Sequence, residues 1–106
     1  MKLIYCLNCN SSVRLVGEKS RQCECGDVHG IYKDDLNAIF VAHSENYVLL
    51  GYANNTFVKA VREYRQNGSP DGWGLNFSAF VIPEPCSTFV RVSEKEYKKF
   101  CETCLH

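Results

Sequence analysis

Apolar residues recur along this chain with two different periods, which divide it into strands and helices. Runs at 36–42 and 47–52 are rich in β-branched and aromatic residues, and the polar residues between them predict a hairpin. Apolar residues at helical spacing predict a helix over 57–66. Alternation predicts strands over 75–82 and 88–92, so the chain after residue 34 has the order ββαββ followed by a last helix.

Capping residues mark the ends of both helices. Asn67-Gly68 stops the first helix, because glycine readily adopts the left-handed conformation that follows a last helical turn. Ser93, with Glu96 three positions later, is a capping box that begins the C-terminal helix. The first helix carries an apolar stripe that we expect to face the core, and it consists of Phe57, Val58, Val61 and Tyr64.

Four cysteines organise the first third of the chain. They form two close pairs, Cys6-Leu-Asn-Cys9 and Cys23-Glu-Cys25, and zinc is the usual occupant of an all-sulfur tetrahedral site. A knuckle of this kind needs a residue that tolerates positive φ just after its second cysteine, and Asn10 and Gly26 stand there. The pattern predicts a β-ribbon over 1–34 with one structural zinc ion. The alternatives are four thiols without metal and an iron ion.

Residues 4–32 resemble a zinc ribbon, the rubredoxin-type fold element in which two β-turns each offer two cysteines to one metal. The second knuckle departs from that family because its spacing is C-x-C where the family usually has C-x-x-C. The segments G-Y-A-N-N-T-F-V-K-A-V-R and L-N-F-S-A-F-V-I-P-E-P-C are similar to stretches of small uncharacterised bacterial proteins that also begin with a zinc ribbon. The resemblance implies a fold element and a zinc ion, and it carries no activity.

Composition narrows the class of protein. The 106 residues suit one compact unit, and the formal charge is zero because 12 basic residues balance 12 acidic ones. Four thiolates around one divalent ion would make the protein net negative, which disfavours non-specific binding to nucleic acid. No signal-peptide pattern and no apolar window of about 18 residues occur, so we expect no membrane span. We therefore expect a reducing, cytoplasmic location, in which the seven cysteines favour metal ligation or free thiols over disulfides.

A second group of thiols lies near the end of the sequence. Cys101 and Cys104 share a helix face, and either His106 or Cys86 could complete a second metal site with them. The alternatives are structural thiols packed in the core and a redox-active C-x-x-C pair.

Two further features are candidates for binding. Free amides at a helix start favour anions, so a phosphate could bind there, and the alternative is plain N-capping. Trp73 lies between two glycines in a turn-rich segment, where it either covers the core or contacts a partner protein. The candidate phosphate-binding residues are Asn54, Asn55, Thr56, Arg62, Arg65 and Arg91.

No catalytic constellation is recognisable in the sequence. His29 and His43 are isolated, and there is no Ser-His-Asp order, phosphate-binding loop or H-E-x-x-H motif. A four-sulfur zinc site has no open coordination position, so the zinc is expected to be structural. We therefore do not expect an enzyme.

The sequence thus predicts an α+β protein. A zinc β-ribbon (1–34) packs, as one compact unit, on a small antiparallel four-stranded sheet with two helices (35–106). The leading function is a non-enzymatic interaction or regulatory protein that docks on another macromolecule, with a protein favoured as partner. The alternative is binding or sequestering of a nucleotide or nucleic acid near Asn54-Asn55. The third candidate is an enzyme that uses Cys86 or the terminal thiols.

Overall fold

The structure is a computed structural model that describes residues 1–68, 72 and 74–104, with the backbone alone at 103 and 104. The described residues form eight strands and two helices. In chain order these are β1 (Lys2–Cys6), β2 (Ser11–Arg14), β3 (Arg21–Gln22), β4 (Val28–Tyr32), β5 (Ala38–Ala42), β6 (Tyr47–Tyr52), α1 (Asn54–Asn67), β7 (Ala79–Val81), β8 (Phe89–Arg91) and α2 (Glu94–Cys104).

The strands form two four-stranded sheets with the orders β2-β1-β6-β7 and β3-β4-β5-β8. Neighbouring strands are antiparallel in every described pair except β5 and β8, which run parallel. The predicted α+β class with two helices is confirmed. Each sheet takes two strands from the first 34 residues and two from the rest, so the later strands do not form a sheet of their own.

The hairpin predicted over 36–52 is wrong, because β5 and β6 lie in different sheets. Strand β5 pairs with β4 and β8, and all five of its residues are buried. The residues between β5 and β6 form backbone hydrogen bonds with other segments of the chain. His43 N donates to Asp27 O (3.0 Å), and Asn46 O accepts from Leu7 N (2.9 Å). One face of β5 packs in the core between the sheets and the other packs against α2, which accounts for the burial of the whole strand.

The main core lies between the two sheets. Phe40 of the second sheet contacts the rings of Tyr47 and Phe89, with centroids 5.3 and 5.2 Å away. The sheets are tightly packed at Gly30, where an added Cβ would lie 3.1 Å from the side chain of Leu15 and 3.2 Å from that of Ile4. Helix α2 covers the outer face of the second sheet, where the buried residues are Ile31, Ile39, Val41 and Tyr97.

Helix α1 begins at Asn54 rather than at residue 57, and it ends at Gly68, whose amide donates to Tyr64 O. The expectation that its stripe faces the core is wrong beyond the first turn, because Val61 is 44% exposed and Tyr64 is 63% exposed. The described part of the chain supplies no layer over that stripe. The helix contacts the rest of the chain through Phe57, whose ring lies 5.0 Å from that of Phe77, and Ala60 is its one buried residue.

Helix α2 begins as the sequence predicts. The Ser93 hydroxyl accepts a hydrogen bond from Glu96 N at 3.2 Å, which satisfies one of the free amides of the first turn.

The strands on either side of Pro83 are shorter than predicted, at Ala79–Val81 and Phe89–Arg91. Neither helix, within the described residues, is long and apolar enough to cross a membrane.

Candidate metal centre

The four N-terminal cysteines converge at one end of the two sheets. Cys6 is the last residue of β1, and Cys9 lies in the turn from β1 to β2. Cys23 and Cys25 lie in the turn from β3 to β4, which belongs to the other sheet. The centre therefore joins two turns that arise from different sheets.

The distances between the sulfurs match those of a tetrahedral metal site. Cys25 Sγ lies 3.7 Å from Cys6 Sγ and 3.6 Å from Cys23 Sγ, and all four Sγ atoms lie within 4.8 Å of one another. Four sulfurs at about 2.3 Å from a zinc ion stand about 3.8 Å apart. The four side chains could therefore hold one metal ion, and their geometry is compatible with a zinc knuckle.

The backbone of the two turns follows the expected pattern. Asn10 has φ of 55° and Gly26 has φ of 79°, so the residue after each second cysteine adopts the predicted positive φ. Val28 N also points at Cys23 Sγ, at 3.4 Å, as an amide does when it stabilises a thiolate. The C-x-C spacing of the second turn is thus accommodated without displacing its sulfurs from the cluster.

Burial and hydrogen bonding differ among the four thiols. Cys6 and Cys23 are buried, whereas Cys9 is half-buried and Cys25 is exposed. Burial raises the pKa of Cys6, while the Ser11 hydroxyl, 2.9 Å from Cys9 Sγ, lowers the pKa of Cys9 to about 6. The pKa values of Cys6 and Cys9 are therefore shifted in opposite directions, and the thiol that faces the solvent is the exposed Cys25.

A second group of metal-ligating side chains was not foreseen from the sequence. The Nε2 atoms of His29 and His43 lie 3.1 and 3.6 Å from Glu94 Oε2. Burial lowers the pKa of His29, and the nearby carboxylate of Glu94 offsets only part of that effect. No pattern in the sequence indicates this group without the pairing of β4 with β5, and the predicted hairpin assigned β5 to another neighbour.

The predicted second cysteine site is only partly described. Cys86 packs against the core between the sheets, whereas Cys101 packs against the cluster under α2. Cys86 Sγ lies 3.4 Å from the Thr88 hydroxyl, which lowers the pKa of Cys86. The side chain of Cys104 and all of His106 lie outside the described residues. A metal site formed by these four residues stays a prediction.

The side chains at the start of α1 already have partners within the chain. Asn54 Oδ1 accepts a hydrogen bond from the amino group of Met1 at 2.8 Å, and Asn55 Oδ1 accepts one from Thr56 N. Thr56 Oγ1 accepts from Ser78 N at 2.9 Å. The capping position itself is Ala53, which has no capping side chain.

The three arginines of the predicted phosphate site are placed differently from one another. Arg62 and Arg65 are exposed on α1. Arg91 lies on β8 and is engaged at the 43–46 turn, where it donates to Glu45 Oε1 at 2.7 Å and to Ala42 O at 2.6 Å. Trp73, the predicted partner contact, lies outside the described residues. Phosphate binding therefore stays a prediction.

Comparison with known proteins adds no family. No family model, no curated protein and no solved structure matches this chain. The likeness to a zinc ribbon therefore rests on the four clustered cysteines, and the function has to be argued from the surfaces and sites of the molecule.

Proposed function

We propose that this chain is a cytoplasmic, zinc-stabilised docking protein. Cys6, Cys9, Cys23 and Cys25 hold one structural zinc ion, and an exposed apolar surface contacts another protein. In this role the protein catalyses no reaction, and its effect comes from binding its partner protein. None of the six cysteines whose side chains are described forms a disulfide, so all four clustered thiols are free to bind a metal ion.

The choice of zinc follows from the donor set. Four thiolates form a closed shell that suits zinc, and such sites contribute directly to folding because the ligands assemble only in the native state. Here the ligands come from turns of both sheets, so a bound ion would link the sheets at one end. A chain of 106 residues has a modest core, and a metal link of this kind adds substantially to its stability.

The observation that carries the docking role is the exposed apolar surface around α1 and β7, which we call the α1–β7 surface. Six of the nine exposed large apolar side chains in the described residues lie on α1, on β7 or just before β7 in the chain. Concentrated apolar exposure marks interaction sites, because water contact with it is unfavourable. The six residues are Val58, Val61, Tyr64, Phe77, Phe80 and Val81.

Helix α1 strengthens this argument. Its sequence is amphipathic, yet Ala60 is the one buried residue among its 14, all of which are described. A helix with an apolar stripe gains most of its stability by packing that stripe against something. A partner protein that covers Val61 and Tyr64 would supply the missing contact, in the manner of helix-in-groove recognition.

The test compares two double variants of α1. Val61→Lys with Tyr64→Lys alters the apolar stripe, and Glu63→Lys with Gln66→Lys alters exposed polar positions of the same helix. Each is used as bait in chemical cross-linking from extracts of the source cells. The control pair is expected to retain the partner that the natural sequence cross-links, and the stripe variant is expected to lose it. Equal recovery by both variants would show that this surface does not dock.

Light scattering separates docking on another protein from self-association. We expect the natural chain to be monomeric by itself. A dimer that dissociates in the Val61→Lys, Tyr64→Lys variant would assign the α1–β7 surface to contacts between copies and would contradict the proposal.

A further inference from the structure

We propose that His29, His43 and Glu94 form a second metal site, of the open three-ligand type, for a divalent transition-metal ion such as zinc. This site is separate from the four cysteines, and it does not depend on the docking role of the α1–β7 surface.

The strand register brings the two histidines together. His29 pairs with Val41 across β4 and β5, and alternation places the side chain two positions later, at His43, on the same face of the sheet. The two imidazole rings are 5.8 Å apart, centroid to centroid. Helix α2 lies over this face, and the Ser93 cap fixes its first turn, in which Glu94 stands.

The spacing of the ligand atoms fits one ion. Ligands at about 2.0–2.2 Å from zinc, arranged tetrahedrally, stand about 3.4 Å from one another. The measured distances from Glu94 Oε2 are 3.1 Å to His29 Nε2 and 3.6 Å to His43 Nε2. The two values lie on either side of the expected separation, and all three atoms are within 4.8 Å of one another.

The carboxylate oxygen is buried with only the two imidazoles as partners. Glu94 Oε2 is inaccessible to solvent, and among the described residues it faces the Nε2 atoms of His29 and His43 alone. An anionic oxygen left in this state is costly, since a charged group removed from water needs a compensating partner. A cation bound between the three side chains would supply that partner.

The surroundings hold two of the ligands in place. The Tyr97 ring packs edge-on against His29, with centroids 4.6 Å apart, and the Tyr97 hydroxyl is hydrogen-bonded to Ser20. Arg91 Nη2 donates to Ala42 O, which fixes the backbone immediately before His43. Supports of this kind orient ligands before the ion arrives.

The donor set differs in kind from the four-sulfur centre. Two imidazoles and one carboxylate suit zinc, iron and related first-row ions, and three protein ligands leave a coordination position for water or another ligand. His43 is 53% exposed, and a cleft of about 360 Å³ opens beside His29 and Glu94, so an ion and a small ligand can reach the site. The bound ion would therefore be accessible, whereas the cysteine-bound ion is enclosed by its four ligands.

The experiment titrates the full-length protein, already loaded with one equivalent of zinc, with further Zn²⁺ in a calorimeter. We expect one more ion to bind in a saturable step. His43→Ala and Glu94→Gln should weaken this step by at least about 10- to 100-fold, since loss of an outer-shell partner alone has an effect of that size. His43 is chosen over His29 because its side chain is more exposed, so its removal should leave the fold intact.

Two matched controls make the result specific. His106→Ala removes an imidazole elsewhere in the chain, and Glu96→Gln removes a carboxylate from the same helix turn as Glu94. Both should bind the second ion as the natural sequence does. Absence of a second step in the natural protein would overturn the proposal, and so would its survival in the His43→Ala and Glu94→Gln variants. Loss in His106→Ala would assign the ion to the C-terminal residues.

Nuclear magnetic resonance tests whether the two histidines bind the ion directly or only support the fold around it. The second equivalent of Zn²⁺ should shift the ring resonances of His29 and His43 together and leave those of His106 unchanged. Unshifted resonances of His29 and His43 at saturation would contradict direct ligation, even if an ion binds somewhere on the protein.

Discussion

Zinc bound by the four cysteines should make the stability of the fold depend on zinc concentration. The four cysteines come from turns of different sheets and form a single cluster, so the folded state offers one ion a site that the unfolded chain lacks. Linkage then requires the free energy of unfolding to rise by about 1.4 kcal/mol for each tenfold increase in free zinc above the dissociation constant. At a hundredfold excess over that constant the gain is about 2.7 kcal/mol.

The assay is urea denaturation in zinc buffers, with free zinc kept below the concentration that fills the His29–His43–Glu94 site. Cys9→Ser removes a half-buried ligand with little loss of packing, and it should abolish the dependence on zinc. Cys86→Ser is the matched control, because Cys86 is also half-buried but lies outside the cluster, and it should keep the full slope. A zinc-independent free energy of unfolding in the natural protein, or equal slopes in both variants, would refute the reasoning.

Two further predictions concern the fold around the sites. Asp34 accepts hydrogen bonds from the Asn37 side chain and from the amides of Asn37 and Leu36, which lower its pKa to about 2. Its folded pKa is below the unfolded value of about 3.9, so the charged carboxylate stabilises the fold above pH 4, and this contribution is lost as the pH falls towards 2. An NMR titration should give about 2 for the natural protein and a higher pKa for Asn37→Ala, and a value near 4 in both would be inconsistent with the turn described. Gly30→Ala should lower the free energy of unfolding by about 1–3 kcal/mol, because the new methyl group would meet the buried side chains of Leu15 and Ile4. Urea denaturation measures this difference. An unchanged free energy of unfolding would show that the two sheets can move apart at this point.

Local features of the fold could be predicted because short stretches of sequence determine them. The two close cysteine pairs depend on turn spacing, and the positive φ values at Asn10 and Gly26 depend on which residues tolerate that conformation. The cap at Ser93 likewise involves residues only three positions apart. Each of these expectations is confirmed.

The partners of β5 and β6 could not be predicted, because they depend on long-range packing. Each strand is apolar enough to pair with several neighbours, and the burial of β5 on both faces favours a central position between β4 and β8. The grouping of His29, His43 and Glu94 could not be predicted for the same reason, since its two histidines become neighbours only through the β4–β5 register.

The exposed stripe of α1 illustrates a different limit. Amphipathic spacing correctly predicted a helix, but it does not state what covers the apolar face. In the described residues, Val61 and Tyr64 are left uncovered by the chain itself. The proposed docking role assigns that cover to a partner protein.

The most direct test of the central claim is X-ray absorption spectroscopy at the zinc edge, on protein that holds one equivalent of zinc. Coordination by Cys6, Cys9, Cys23 and Cys25 predicts a first shell of sulfur scatterers at about 2.3 Å, filled by the four ligands of the cluster. A first shell of nitrogen or oxygen at about 2.0–2.1 Å, or protein that does not retain zinc at all, would contradict the account.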